Sequence, residues 1–185
     1  MHKSTSQAVV SSLFIGVLTL LGGSAFAASD EELIANATAA APPGVAATAS
    51  VMVVNADGTM RMVHRGTGTF TCMPNDPATP VNDPMCVDAN GMQWVEAWLA
   101  HKDPPAGKIG VAYMLQGGWA PNNTDPYATV PAAGETAFED PPHIMIFNAP
   151  ELIALYPAPT GVPDGHAPYV MYPNTPYAHL MVPVH

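Results

Sequence analysis

The chain of 185 residues carries fifteen acidic against five basic side chains and a net charge of −10 with histidine neutral, a balance that argues against nucleic acid and anionic membrane as partners, since both select basic surface. Its 21 prolines and 15 glycines predict short elements joined by proline-rich loops, and the apolar runs that recur between the prolines argue against continuous disorder.

The N-terminus reads as a cleavable export signal. Lys3 supplies a basic start, residues 9–21 an apolar run, and Ala25-Phe26-Ala27 the small residues that signal peptidase requires. Ser11-Ser12 and Gly16 interrupt the run, which falls short of the roughly 20 apolar residues of a membrane span. The expectation is an exported, acidic protein, periplasmic or extracellular, with one globular domain over residues 28–185 and no membrane span once residues 1–27 are removed.

Ser29-Asp30-Glu31-Glu32 forms a capping box for a short helix that continues through residues 33–41 and stops at Pro42-Pro43-Gly44. Residues 47–55 and 59–65 are strand-like and flank Ala56-Asp57-Gly58, a hairpin turn, and a third strand is expected over 67–72. Cys72 and Cys86 are the two cysteines of the chain. In an oxidising compartment their spacing predicts a disulfide closing a loop that holds Pro74, Pro77, Pro80 and Pro84, and no Cys-x-x-Cys pattern suggests a metal or redox thiol pair. Residues 73–90 are expected to be turns around that disulfide, and among them Asp83, Asp88 and Asn90 read as turn residues, because the ligand spacing of a calcium loop is missing.

Over residues 92–101, Trp94, Val95, Trp98 and Leu99 share one face of a helix, with His101 at its C-terminal end. A strand follows over 109–116. Residues 119–140 form a long irregular segment, which at that length is often functional, and Trp119, Asn122, Asn123, Asp125 and Tyr127 make it a candidate ligand loop, the ordinary alternative being a surface loop packed by its own aromatics. A strand over 143–148, a short helix over 150–155 begun by Pro150, and a closing hairpin of 169–172 and 177–184 complete the chain. Strands outnumber helices and no βαβ alternation is present. The expected fold is α+β, with a mainly antiparallel sheet of about five to seven short strands and two or three short helices; an all-β sandwich with peripheral helices is the alternative.

Three predicted strands carry histidine and methionine two residues apart, hence on one face. These are Met60, Met62 and His64, then His143 and Met145, then His179 and Met181. Thioether with imidazole is a ligand set for soft Cu(I), which makes copper the candidate cofactor and His64, Met62, His143, Met145, His179 and Met181 the candidate ligands. Core packing is the ordinary expectation for strand methionines, and Met60 and Met62 are expected to point inward, opposite Arg61, Val63 and Arg65.

Ser29 and Ser50 are the serines beyond the signal, and no Gly-x-Ser-x-Gly, His-Glu-x-x-His or phosphate-loop pattern occurs. The leading expectation is a non-enzymatic protein that binds a small ligand or metal ion. An enzyme using His143 with Asp125, Glu139 or Asp140, and a structural or protein-binding module with no site, are the alternatives.

Overall fold

In the computed structural model, which describes residues 28–184, helix α1 (Asp30–Thr38) begins at its capping box. The Ser29 hydroxyl accepts the Glu32 N–H, the Glu32 carboxylate accepts the Ser29 N–H at 2.8 Å, and Asp30, Glu31 and Glu32 sit at the positive end of the helix dipole. The export segment and His185 lie outside the described residues. After a single turn, α2 (Pro43–Ala46), come the hairpin strands β1 (Ser50–Val54) and β2 (Met60–His64). Their pairing carries a bulge: Val51 faces His64 and Met52 faces Met62, so Val63 is the extra residue. An extra residue turns the following side chains over, and Val63 packs into the core while Met62 is 36% exposed and His64 faces solvent. The inward orientation expected for Met62 is therefore reversed.

Strand β3 (Thr71–Met73) runs parallel to β1, and β4 (Met85–Val87) runs antiparallel to β3 with Cys86 opposite Cys72, the two joined as a disulfide. Strand β4 lies within the stretch expected to be turns. Three residues after Pro84 offer too little alternation to mark a strand, and it is the cross-link and the neighbouring strand that hold it. Helix α3 (Ala89–Leu99) starts three residues earlier than the apolar face implied, because the Asp88 carboxylate caps it by accepting the Gly91 N–H at 2.7 Å. It ends in a Schellman arrangement: His101 takes φ 53°, and Lys102 N–H donates to Ala97 O at 2.9 Å.

The chain continues through β5 (Gly110–Met114), β6 (Gly118–Ala120), β7 (Phe138–Asp140), β8 (His143–Phe147), α4 (Pro150–Ile153), β9 (Tyr169–Met171) and β10 (His179–Pro183). Eight strands form one sheet in the order β2-β1-β3-β4-β5-β8-β10-β9, antiparallel except at β1–β3, and β6 pairs with β7 in a separate ribbon. The molecule is thus a small domain dominated by a mostly antiparallel sheet with few helices. The strands and helices beyond the expected numbers are three-residue strands and one-turn helices. Among the described residues no helix is long and apolar enough to cross a membrane.

The period of two gives the sheet two unlike faces. On one, Cys72, Cys86 and Val51 pack with Ala37 and Ala40 from α1 and the segment after it. On the other, Met73, Val87, Ala112, Met145, Phe147, Met171 and Met181 pack with Trp94 and Val95 of α3. Helix α3 lies tightly on β5 because two glycines meet there: a Cβ on Gly110 would stand 2.4 Å from Gly91 N, a contact that real Cβ atoms do not make.

The disulfide lies on the α1 face and is separated from the methionine face by the thickness of the sheet. Replacing both Cys72 and Cys86 by alanine is expected to lower stability by about 3 kcal/mol in urea unfolding, while near-ultraviolet circular dichroism of the Trp94 environment stays native under folding conditions.

Candidate functional site

The central strands β5, β8, β10 and β9 align their inward side chains in rows. Met145 of β8 faces Met181 of β10, flanked by Ala112 on β5 and Tyr169 on β9. One step along the sheet in one direction, His143 faces Met114 of β5; one step in the other, Phe147 faces His179, which in turn faces Met171 of β9. Two of the three predicted histidine–methionine strands are therefore neighbours with their pairs on a shared face. The third is not: β1, β3, β4 and β5 stand between β2 and β8, a span of about 24 Å at 4.8 Å per strand. His64 and Met62 share no centre with His143, Met145, His179 and Met181, and this corrects the six-residue ligand set.

Both histidines are buried, each 2% exposed. His143 Nδ1 lies 2.7 Å from Pro141 O, and His179 Nδ1 lies 2.9 Å from Tyr177 O. A carbonyl only accepts, so each Nδ1 carries the proton and each Nε2 presents a lone pair. No protein group donates to either Nε2, an arrangement that costs about 1–3 kcal/mol per buried polar atom. This is how proteins hold a metal-ligating imidazole: one nitrogen fixed by a carbonyl, the other bare.

Burial sets the ionisation of the group. It pushes the His179 imidazole down to about 4, the Tyr177 carbonyl opposing and the nearby His143 adding to the effect. Burial likewise lowers His143, against the pull of Asp140 and the Pro141 carbonyl. Asp140 is raised by burial, opposed by the bond its carboxyl receives from the Tyr169 hydroxyl and by His143. Burial and the adjacent Asp140 raise Tyr169 in turn. Of the three carboxylates considered with His143, Asp140 lies beside it, whereas Asp125 and Glu139 are exposed.

Helix α3 and the β6–β7 ribbon cover this face. Trp94 stacks on Phe147 at 4.5 Å and meets the His179 ring edge-on at 5.3 Å. Gly118 of β6 lies over the other end, where a Cβ would touch both His143 Cε1 and Met114 Cε at 3.4 Å. Between the two covers lies a cavity of about 160 Å³ lined by both histidines, Met85, Met114, Met145, Met171 and Met181, with half-buried Trp98 and Trp119 also in its wall. Trp94 Nε1 is a further buried polar atom there without a protein partner. Among the described residues no group of three or more His, Cys, Asp and Glu side chains is placed to hold a metal ion. Any cation in this cavity would rest on thioethers and the two imidazoles, with the Asp140 carboxyl, held by the Tyr169 hydroxyl, also in the wall.

The 119–140 segment is scaffold more than ligand surface. Its ends pair as β6 and β7, and of its five candidate residues Trp119 reaches the cavity wall. Asn122 Oδ1 accepts the Thr124 and Asp125 N–H groups, and Asp125 Oδ1 accepts that of Tyr127. Asn123 is fully buried and donates to Pro159 O and Val170 O, at 2.6 and 3.0 Å, tying the loop to β9. The Tyr127 ring stacks on His101 at 4.0 Å, with its hydroxyl 2.7 Å from that of Tyr177. Met85, Met114 and Met171 were not legible as site residues. None has histidine two positions away, and what places them is register against strands distant in sequence.

Because the fold holds both imidazoles neutral while the unfolded chain protonates them below about pH 6.5, their contribution to stability is complete above pH 6.5 and is lost as the pH falls toward about 4, the folded value for His179. Asp140 acts with opposite sign, its contribution being present below the unfolded carboxyl value and lost as pH rises through the folded one. Urea unfolding between pH 6.5 and 4.5 is expected to show stability falling on acidification, and His179→Gln should reduce that slope by about 1 kcal/mol per pH unit; an unchanged slope would contradict the neutral buried state. Comparison of the chain with protein-family models, with curated proteins and with solved structures finds no match.

Proposed function

We propose that this protein is an exported, non-enzymatic binder of a soft metal ion, with copper(I) as the cation its ligand set favours. The observation that carries the reading is the pair of buried histidines, His143 and His179, each with a bare Nε2, lining a cavity walled by five methionines. Thioethers select Cu(I) over hard or borderline cations, and imidazole completes the set. Neutral imidazoles release no proton on binding, so the ligands are ready at neutral pH.

Two further features support it. The Cys72–Cys86 bond suits the oxidising compartment to which residues 1–27 would direct the chain. Both cysteines are spent in that bond, so thioether is the sulfur ligand that remains. The enzymatic reading has Asp140 beside His143, but that carboxyl is engaged by the Tyr169 hydroxyl, which makes it a poor base for a substrate. The cavity wall is in any case mostly apolar.

The test is competition for Cu(I) between the purified protein and a chromophoric chelator under reducing conditions. The parent protein is expected to withdraw copper at micromolar concentration, Ag(I) to displace it, and Zn(II) not to. Replacing both His143 and His179 by glutamine should weaken binding by more than about 100-fold, with far-ultraviolet circular dichroism unchanged. A folded parent that withdraws no copper would end the proposal.

A further inference from the structure

We infer that the cavity holds two soft-ion half-sites of equal composition, one built on His143 with Met114 and Met145 and one on His179 with Met171 and Met181, and that each takes its own ion. This deepens the soft-metal reading and rests on it.

The argument begins from register. Strands β8 and β10 are antiparallel, and Met145 faces Met181. The sequence His-x-Met occurs on both strands, at 143–145 and 179–181, so the Met145–Met181 pair marks a local twofold axis with one histidine on either side. His179 faces Phe147, four residues from His143 on β8. Four residues along a strand span about 13 Å, and with the interstrand spacing the two histidine Cα atoms stand about 14 Å apart. A single ion with two imidazoles at about 2 Å each needs their nitrogens within about 4 Å, so each ring would have to lean about 5 Å toward the centre.

Each ring is anchored at its own end. Each Nδ1–H is bound to the carbonyl two residues earlier on its own chain segment, Pro141 for His143 and Tyr177 for His179. Antiparallel strands place those carbonyls at opposite outer ends, away from the Met145–Met181 pair. The same symmetry that repeats the ligands therefore anchors each imidazole at its own end of the row, with Nε2 on the far side of the ring from the anchoring carbonyl.

Each histidine has a methionine directly opposite it on the strand outside the central pair. His143 faces Met114 on β5, and His179 faces Met171 on β9. Directly opposite Cβ atoms lie about 4.5–5.5 Å apart, within reach of one ion for an imidazole and a thioether. At the first half-site His143 and Met114 border the same space beside Gly118, where a Cβ would meet His143 Cε1 and Met114 Cε at 3.4 Å each. At the second, Met171 is 6% exposed, lines the cavity and sits in the row of the bare His179 nitrogen. The methionine two residues along each strand, Met145 or Met181, supplies a second thioether on the same face.

The experiment is a stoichiometric Cu(I) titration against the chelator, run with methionine methyl carbon-13 NMR on the parent protein, His143→Gln and His179→Gln, and on Met114→Leu and Met171→Leu, which conserve volume and preserve packing. The parent is expected to bind two equivalents. Each histidine variant should retain one, with the Met171 methyl still shifted on binding in His143→Gln and the Met114 methyl still shifted in His179→Gln. Met114→Leu and Met171→Leu should each weaken one equivalent by about tenfold or more and leave the other unaltered. A parent that binds one equivalent, lost on replacing either histidine, would overturn the two-site inference while leaving the soft-metal reading intact. Two equivalents that both vanish with either histidine substitution would overturn it as well, because the half-sites would not be separate. No binding by the folded parent would remove the reading beneath it.

Discussion

The pairing of β8 with β10 in the register that sets Met145 against Met181 is the constraint on which the rest of this molecule turns. With a side-chain period of two, a slip of one residue would send His143, Met145, His179 and Met181 to the opposite face and bring Ile144, Ile146, Leu180 and Val182 toward the cavity. That register is held from both sides, by β5 on β8 through five residue pairs and by β9 on β10 through three. It is further pinned where the Asn123 side chain donates to the Val170 carbonyl on β9. The 119–140 segment thus serves the site indirectly, fixing the strand that carries Met171 and contributing Trp119 to the wall.

Much of the fold was legible along the chain because its signals are local. The capping box at Ser29, the hairpin around Asp57-Gly58, the amphipathic run through Trp94 and Trp98 and the closing hairpin of β9 and β10 each follow from residues within a few positions of one another. What escaped was decided by pairing. Strand β4 exists because Cys86 faces Cys72 and Tyr113 faces Cys86, and β6 and β7 exist because residues about twenty apart meet. The start of α3 escaped for a different reason: Asp88 fits a turn and a cap equally well, and only the helix that follows distinguishes them.

The candidate site divides along the same line. Histidine and methionine two residues apart is a pattern that one strand displays, so His143 with Met145 and His179 with Met181 could be read directly. Strand order is not such a pattern. Met62 and His64 show the same spacing, yet the bulge at Val63 turns Met62 outward and the topology sets β2 at the far edge of the sheet. Met114 and Met171 show no pattern at all and become site residues through the partners they face. Spacing finds the half of each proposed ligand set that lies on one strand, and the sheet supplies the other half.

The division of sulfur between the two faces explains why thioether, and not thiolate, walls the cavity. A cysteine pair facing inward would be a stronger soft-metal ligand in a reducing compartment, but in an oxidising one it would close on itself and lose its lone pairs to the S–S bond. The chain places its one cysteine pair on the α1 face, where Cys72 and Cys86 cross-link β3 to β4. It places Met73 and Met85, the residues next to them, on the other face. Methionine has no thiol to oxidise to a disulfide, and its flexible side chain fits an irregular space between Trp94 and the β6–β7 ribbon that a β-branched residue would leave unfilled. The cost is carried by the two imidazoles, whose unpartnered Nε2 atoms and suppressed protonation make the protein less stable than a fully apolar core would. A cation that bound only the folded chain would recover part of that loss, so under the proposed function occupancy of the cavity and stability of the fold would be one linked equilibrium.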